Sequence, residues 1–403
     1  MNLRLYDTAT REVAPFAPRG EAVGLYVCGV TPYDTTHMGH AFTYVVFDTL
    51  TRVLRRAGLS VTYVQNVTDI DDDILKRARE TGKTWDALGR EQTAQYEADS
   101  RALNILPPTH FLRATDEIDR MIPLIATLLD KGHAYTAGGN VYFSVASDPE
   151  YGSLSRYSPD EMRAIAAERG GRPDDPQKRA PLDFLLWQGA QLGEPQWDAP
   201  WGAGRPGWHI ECSAMAMHFL GPTVDIHGGG SDLIFPHHES EIAQSEGATG
   251  VHPFVRVWMH TAMVRYQGEK MSKSLGNMVF VRDALRRYDA DAIRLYLLNH
   301  HYRTPWEYED DGPAIFAPLV RQATDALALP AGDGAPFDAA PFLADFDRAL
   351  ADDLDTSGAI AAFHSLVTAI HRGGMIDVPD DAAQAIRAMA DTLGLRLDAG
   401  TVS

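Results

Sequence analysis

The chain has 403 residues, 45% of them hydrophobic and 23% charged, an ordinary globular composition at a length that predicts two or three structural units rather than one core. A formal net charge of −19 argues against broad, non-specific nucleic-acid binding, which depends on neutralising phosphates. The first twenty residues hold no apolar run of signal-peptide length and no stretch is long enough to span a bilayer, so a cytoplasmic location is expected; two cysteines form no disulfide framework and stand as core residues, nucleophiles or metal ligands.

In chain order, "GLYVCGV" is a short apolar run, "MGHAFTYVVFDTLTRVLRRAG" carries apolar residues at helical spacing up to Gly58, and "VTYVQNV" is β-branched again. That βαβ alternation predicts an α/β fold with a doubly wound parallel sheet and a binding crevice at the carboxyl ends of its strands. Residues 83–132 read as largely helical, "YTAGGNVYFSV" as a hairpin, and 148–206 as a segment rich in Pro, Gly, Asp and Arg. Residues of about 110–205 are therefore expected to form an insertion dividing a nucleotide-binding domain that runs from 1 to 303. Strand character resumes at "TVDIHGGGSD", a helix is expected from Pro236 to about Glu246, and "FVRVWMHTAMV" is a buried strand candidate. Helical periodicity fills 304–403, a small bundle with 17 acidic residues against five arginines and no lysine.

Two loops are suited to phosphate. "THMGH" sits between a strand and a helix, where backbone N–H groups and the helix dipole favour anions; Gly39 leaves room for a ligand that His37 and His40 would face. "KMSKS" brings Lys270 and Lys273, the last lysines in the chain, into a polar loop after a late strand. Singly, each reads equally well as a capped helix or a solvated loop. As a pair, in this order, they resemble the "HIGH" and "KMSKS" signatures of class I aminoacyl-tRNA synthetases. That resemblance implies ATP, with Mg²⁺, bound across the strand ends, and catalysis by positioning and charge stabilisation as pyrophosphate leaves.

The second cysteine lies in "PGWHIECSAMAM", shortly before "DIHGGGSDLIFPHHESEIAQSE". His237 and Glu241 are four apart and share a helix face, so Cys28, Cys212, His237 and Glu241 would offer zinc a tetrahedral set; His238 is a rival ligand, and buried structural cysteines are the alternative. Together with "YVCGVTPYD", "YVQNVTDIDDDI" and "GEKMSKSLGN", these segments are similar to cysteinyl-tRNA synthetase over residues 1 to about 303. In that family the matching cysteine, cysteine, histidine and glutamate positions hold one zinc, which grips the thiolate of substrate cysteine. Shape alone would separate cysteine from serine by about 1 to 3 kcal/mol, whereas a zinc–thiolate bond rejects a hydroxyl outright. The same resemblance implies that Cys28, Thr68, Trp208 and His237 line the L-cysteine pocket, that Gly29, Thr31, Gly39, His40, Gly230, Asp232 and Lys273 bind ATP and the adenylate, and that His37, His40, Lys270 and Lys273 are catalytic. Read without it, Thr68 would be a helix cap, Trp208 a core aromatic, and "GGGSD" a tight turn. Asp71 to Asp73 read as helix-start acids rather than a magnesium site.

Two acceptors fit. In cysteinyl-tRNA synthetase the activated cysteine goes to tRNA(Cys); in the closely similar mycothiol cysteine ligase it goes to the amine of a glucosaminyl inositol. The acidic bundle, the lack of a separate anticodon-binding module and "CGVTPYD" in place of "CGPTVYD" favour the amine. Glu241, which completes the synthetase's zinc set, favours tRNA, as do Arg286, Arg287, Arg294 and Arg303 as contacts to the phosphates of an acceptor arm. The balance of these features leans to tRNA(Cys), charged by a compact enzyme that reads mainly the acceptor end. A non-catalytic paralogue is disfavoured by the completeness of the motif set.

Overall fold

The computed structural model describes residues 2–33, 36–271, 275–330, 337–372 and 379–398. Its centre is the expected doubly wound parallel sheet, with strands in the spatial order Val255–Thr261, Val224–Gly230, Ala22–Val30, Ser60–Val67, His110–Arg113. All neighbouring strands run parallel. The winding reverses between Ala22–Val30 and Val224–Gly230, so the crevice opens at the carboxyl ends of these two strands. Between Ala22–Val30 and Ser60–Val67 the register slips from Val27 to Val30, and Gly29 sits where a Cβ would lie 1.4 Å from the Asn66 carbonyl oxygen. Only glycine fits that approach.

The strand His110–Arg113, expected within the insertion, instead pairs with Ser60–Val67 and forms the edge of the main sheet. The insertion's own antiparallel sheet begins later and consists of Ala134–Ala137, Asn140–Phe143, Phe184–Gly189 and Gly204–Pro206. Its first two strands are the predicted hairpin.

The helix Met38–Arg56 is buried on almost every side, because the sheet lies on one face and the C-terminal helices lie on the other. Phe363, Leu366, Ile386 and Met389 of those helices share one apolar core with Val46, Leu50 and Val53. A buried charge cluster reinforces this joint. Arg52 Nε contacts Asp48 Oδ2 at 2.9 Å, and its two Nη atoms reach the carbonyls of Asp391 and Asn104 at 2.7 and 2.8 Å. Arg294 binds the same Asp48 carboxylate and the carbonyls of Leu103 and Leu393.

Arg294 is therefore fully buried and is not a phosphate contact, contrary to the sequence expectation. Arg303 is paired with Asp353, its Nε 2.7 Å from Asp353 Oδ2, while its side chain remains partly exposed. Arg286 remains on the surface beside Asp283, and Arg287 contacts the Tyr288 hydroxyl. Among the described residues, no helix is long and apolar enough to cross a membrane.

Candidate active site and metal centre

A cavity of about 1260 Å³ lies between the carboxyl ends of the parallel strands and the insertion. Cys28, Gly29, Thr31, His37, Gly39, His40, Trp208, Gly230, Asp232 and Lys270 all line it. Lys273, with Ser272 and Ser274, lies outside the described residues.

His37 builds the end of the cavity at the helix start. It is the N-cap of Met38–Arg56, its Nδ1 accepting from the N–H of Gly39 at 3.1 Å and of His40 at 3.4 Å, and its ring stacks on His40 at 3.8 Å. A Cβ on residue 39 would sit 2.9 Å from the His37 ring, so the stack requires glycine there. Burial, helped by His40 and Lys270, pushes the His37 imidazole well below its ordinary value; burial lowers His40 to about 4 despite Asp232 nearby. Both rings are thus neutral near pH 7, and His40 Nδ1 is buried without a partner. Among the described residues, Lys270 brings cationic charge to this end, its Nζ 3.6 Å from Asp232 Oδ2.

The other end converges on sulfur. Cys28 ends a sheet strand, Cys212 lies in the helix Trp208–Leu220, and His237 and Glu241 flank the start of Glu239–Thr249. One donor atom from each lies within 4.8 Å of the others. Cys28 Sγ is 3.7 Å from Cys212 Sγ and 3.6 Å from Glu241 Oε1, which is 3.1 Å from His237 Nε2. Tetrahedral zinc with bonds near 2.0 to 2.3 Å has donor-to-donor edges of about 3.3 to 3.8 Å, so this set fits the ion in spacing and donor chemistry.

Electrostatics agree with that fit. Burial alone would raise the Glu241 carboxyl, but His227 and His237 hold it at about 2. Against burial, the Cys28 thiol and His237 draw Cys212 down to about 6, while Cys212 and Glu241 carry His237 up to about 10. A buried thiolate beside a buried carboxylate makes a donor set that a cation would stabilise.

Thr68 lies behind the cavity wall and caps no helix. Its hydroxyl donates to Glu211 Oε2 at 2.9 Å and accepts from Asn66 Nδ2 at 3.2 Å. Trp208 stacks on His237 at 4.3 Å and carries the cavity surface to the edge of the donor set. Asp71 caps Ile74 N–H at 2.8 Å, as a helix-start acid should; burial and the neighbouring Asp72 and Asp73 raise it to about 7. Sequence reasoning did not single out Asn66, Glu211, His227 or His260. The motif "DIHGGG" contains His227, but a histidine on a buried strand has no local signal for the carboxylate it meets fourteen residues later.

The chain matches the family described as tRNA synthetases class I (C) catalytic domain over residues 16–313, and the DALR domain over residues 345–398. It is 49% identical over 359 residues to the L-cysteine:1D-myo-inositol 2-amino-2-deoxy-alpha-D-glucopyranoside ligase of Thermobispora bispora, covering 89% of this chain and 88% of that one. Likeness to the ligase of the same description from Nocardiopsis dassonvillei is 48% over 401 residues, covering 98% and 96%. A cysteine--tRNA ligase of Methylococcus capsulatus is 47% identical over 406 residues, covering 98% of this chain and 85% of that one. In fold, the chain is similar to a methionyl-tRNA synthetase of Mycobacterium tuberculosis in complex with methionyl-adenylate, with TM-score 0.65, 17% identity and coverage of 93% and 90%.

Proposed function

The chain belongs to the family of class I tRNA synthetase (C) catalytic domains, and on that premise we propose that it is a ligase that activates L-cysteine with ATP and transfers it to the amine of a glucosaminyl inositol. In the first step the cysteine carboxylate attacks the α-phosphate, giving cysteinyl adenylate and pyrophosphate. Neutral His37 and His40, at the helix start, hydrogen-bond the phosphates, while Lys270 and Lys273 neutralise the charge that develops on them. Gly29, Thr31, Gly39, Gly230 and Asp232 form the nucleotide wall. In the second step the amine attacks the adenylate carbonyl, a C–N bond forms, the C–O bond to phosphate breaks, and AMP departs as the amine loses its proton.

Cys28, Cys212, His237 and Glu241 would hold zinc, which when bound supplies a thiolate-selective contact for substrate cysteine. Trp208, stacked on His237, orients that side of the pocket, and Thr68 steadies it through Glu211. The catalytic domain over 1–303 and the helical unit over 304–403 are proposed as the functional divisions.

The observation that carries the amine over tRNA is charge: Arg294 is buried against Asp48, Arg303 is ion-paired with Asp353, and the bundle beyond them is acidic. This reverses the preference read from sequence. Glu241, which had favoured tRNA, is bound by two histidines inside the donor set and bears on the metal rather than on the acceptor. Likeness to the ligases of Thermobispora and Nocardiopsis supports the same reading; the tRNA ligase of Methylococcus supports the second acceptor, tRNA(Cys).

The test offers labelled cysteine with ATP, and tRNA and glucosaminyl inositol side by side. Cysteine but not serine is expected to drive pyrophosphate–ATP exchange, and the label should pass to the sugar amine. Label on tRNA alone would overturn the proposed acceptor, and absence of exchange in metal-replete protein would overturn the activation step.

A further inference from the structure

Behind the four donors already described lies a second set that shares two of them. Cys28 Sγ is 3.3 Å from His238 Nε2, and Glu241 Oε2 is 2.9 Å from His227 Nε2. Donor atoms of Cys28, His227, His238 and Glu241 also lie within 4.8 Å of one another, and all four residues are buried. One sulfur, two imidazoles and a carboxylate are donors that zinc and similar ions accept.

His238 is also oriented from behind. Its Nδ1 lies 2.7 Å from His260 Nε2, and His260 Nδ1 lies 2.8 Å from the Thr8 hydroxyl. In one of the two senses this chain can run, His238 donates to His260 and His260 to Thr8, which presents a bare Nε2 toward Cys28, as a metal ligand must. His227 Nδ1 is buried with no partner.

We propose that Cys28 and Glu241 serve two overlapping donor sets, giving a thiophilic divalent ion a second seat, built with His227 and His238, beside the one built with Cys212 and His237. The inference rests on the metal-centre reading above. The two seats are mutually exclusive, because with both filled four positive charges would face at most two thiolates and one carboxylate in a buried site. None of Cys212, His237, His227 and His238 lines the cavity, but His237 stacks on Trp208, which does, whereas His238 backs onto His260 and Thr8, so the second seat is the one farther from substrate.

Cobalt(II) is the probe, because its thiolate charge-transfer absorption reports how many sulfurs bind it. Wild-type protein should take up one ion with a two-sulfur spectrum. Cys212→Ser should still take up one ion, more weakly and with a one-sulfur spectrum. The double variant Cys212→Ser/His238→Asn should lose at least about a further tenfold in affinity. His238→Asn alone, which should keep the two-sulfur spectrum, controls for folding. If Cys212→Ser binds no cobalt while wild type does, or if adding His238→Asn changes nothing, the second seat is refuted. Wild-type protein that binds no cobalt would instead refute the metal centre itself.

Discussion

His40 shows how one side chain sets a pH dependence. Burial lowers it from 6.5 to about 4, so the folded protein refuses a proton that the unfolded chain accepts between those values. Its contribution is fully present above pH 6.5 and is lost as pH falls through about 4, a swing of at most about 3 kcal/mol. His40→Asn should flatten the acid side of the stability profile in that window, and urea midpoints measured from about pH 7 down to pH 4 will read it. An unchanged slope would mean that the imidazole titrates freely. "THMGH" displayed the residue, but its neutrality comes from burial beneath the cavity, which no local pattern reports. Cys212 is the same kind of case: its motif marks it as notable, while its thiolate character depends on Cys28 and His237, brought there by other segments.

At the scale of elements, Met38–Arg56 links the site to the rest of the fold. Its N-terminus carries the paired histidines, and its middle carries Asp48, on which Arg52 and Arg294 converge. Removing that carboxylate strands two guanidinium groups, one of them fully buried. Asp48→Ala is therefore expected to destabilise the protein by about 3 to 5 kcal/mol in denaturant unfolding. A loss below about 1 kcal/mol would show that the cluster is solvated. The helix itself was legible from spacing and from Gly58. That Arg294 belongs to its core was not, because "DAIRLYLL" reads as an amphipathic surface helix with an exposed arginine until Asp48, 246 residues earlier, is placed beside it. The strand His110–Arg113 was missed for a similar reason. Four half-buried residues carry too weak a pattern, and what identifies them is pairing with Ser60–Val67.

For the whole molecule, charge separates the two acceptors. An acidic chain that buries Arg294 and pairs Arg303 with Asp353 has little with which to displace counterions from a phosphate backbone. Transfer to the small amine should therefore change its apparent affinity by less than about twofold between about 50 and 200 mM salt. A steep fall over that range, of the kind produced by several phosphate contacts, would point back to tRNA. The C-terminal helices share a core with Met38–Arg56, so they buttress the helix on which the phosphate loop is mounted.

The sequence by itself determined the fold class, the order of the sheet-forming segments and the two phosphate loops, because each is written in neighbouring residues: periodicity, a cap, a glycine, a cluster of lysines. It also named the four donors, first from residue type and the His237–Glu241 spacing and then from a family resemblance. Tertiary structure alone decided that Cys28, Cys212, His237 and Glu241 converge, that His227 and His238 form a rival set around the same sulfur and carboxylate, and that Arg294 faces inward. Those outcomes depend on contacts between segments up to some 250 residues apart, and the burial that gives them their chemistry exists only once the chain has closed around them.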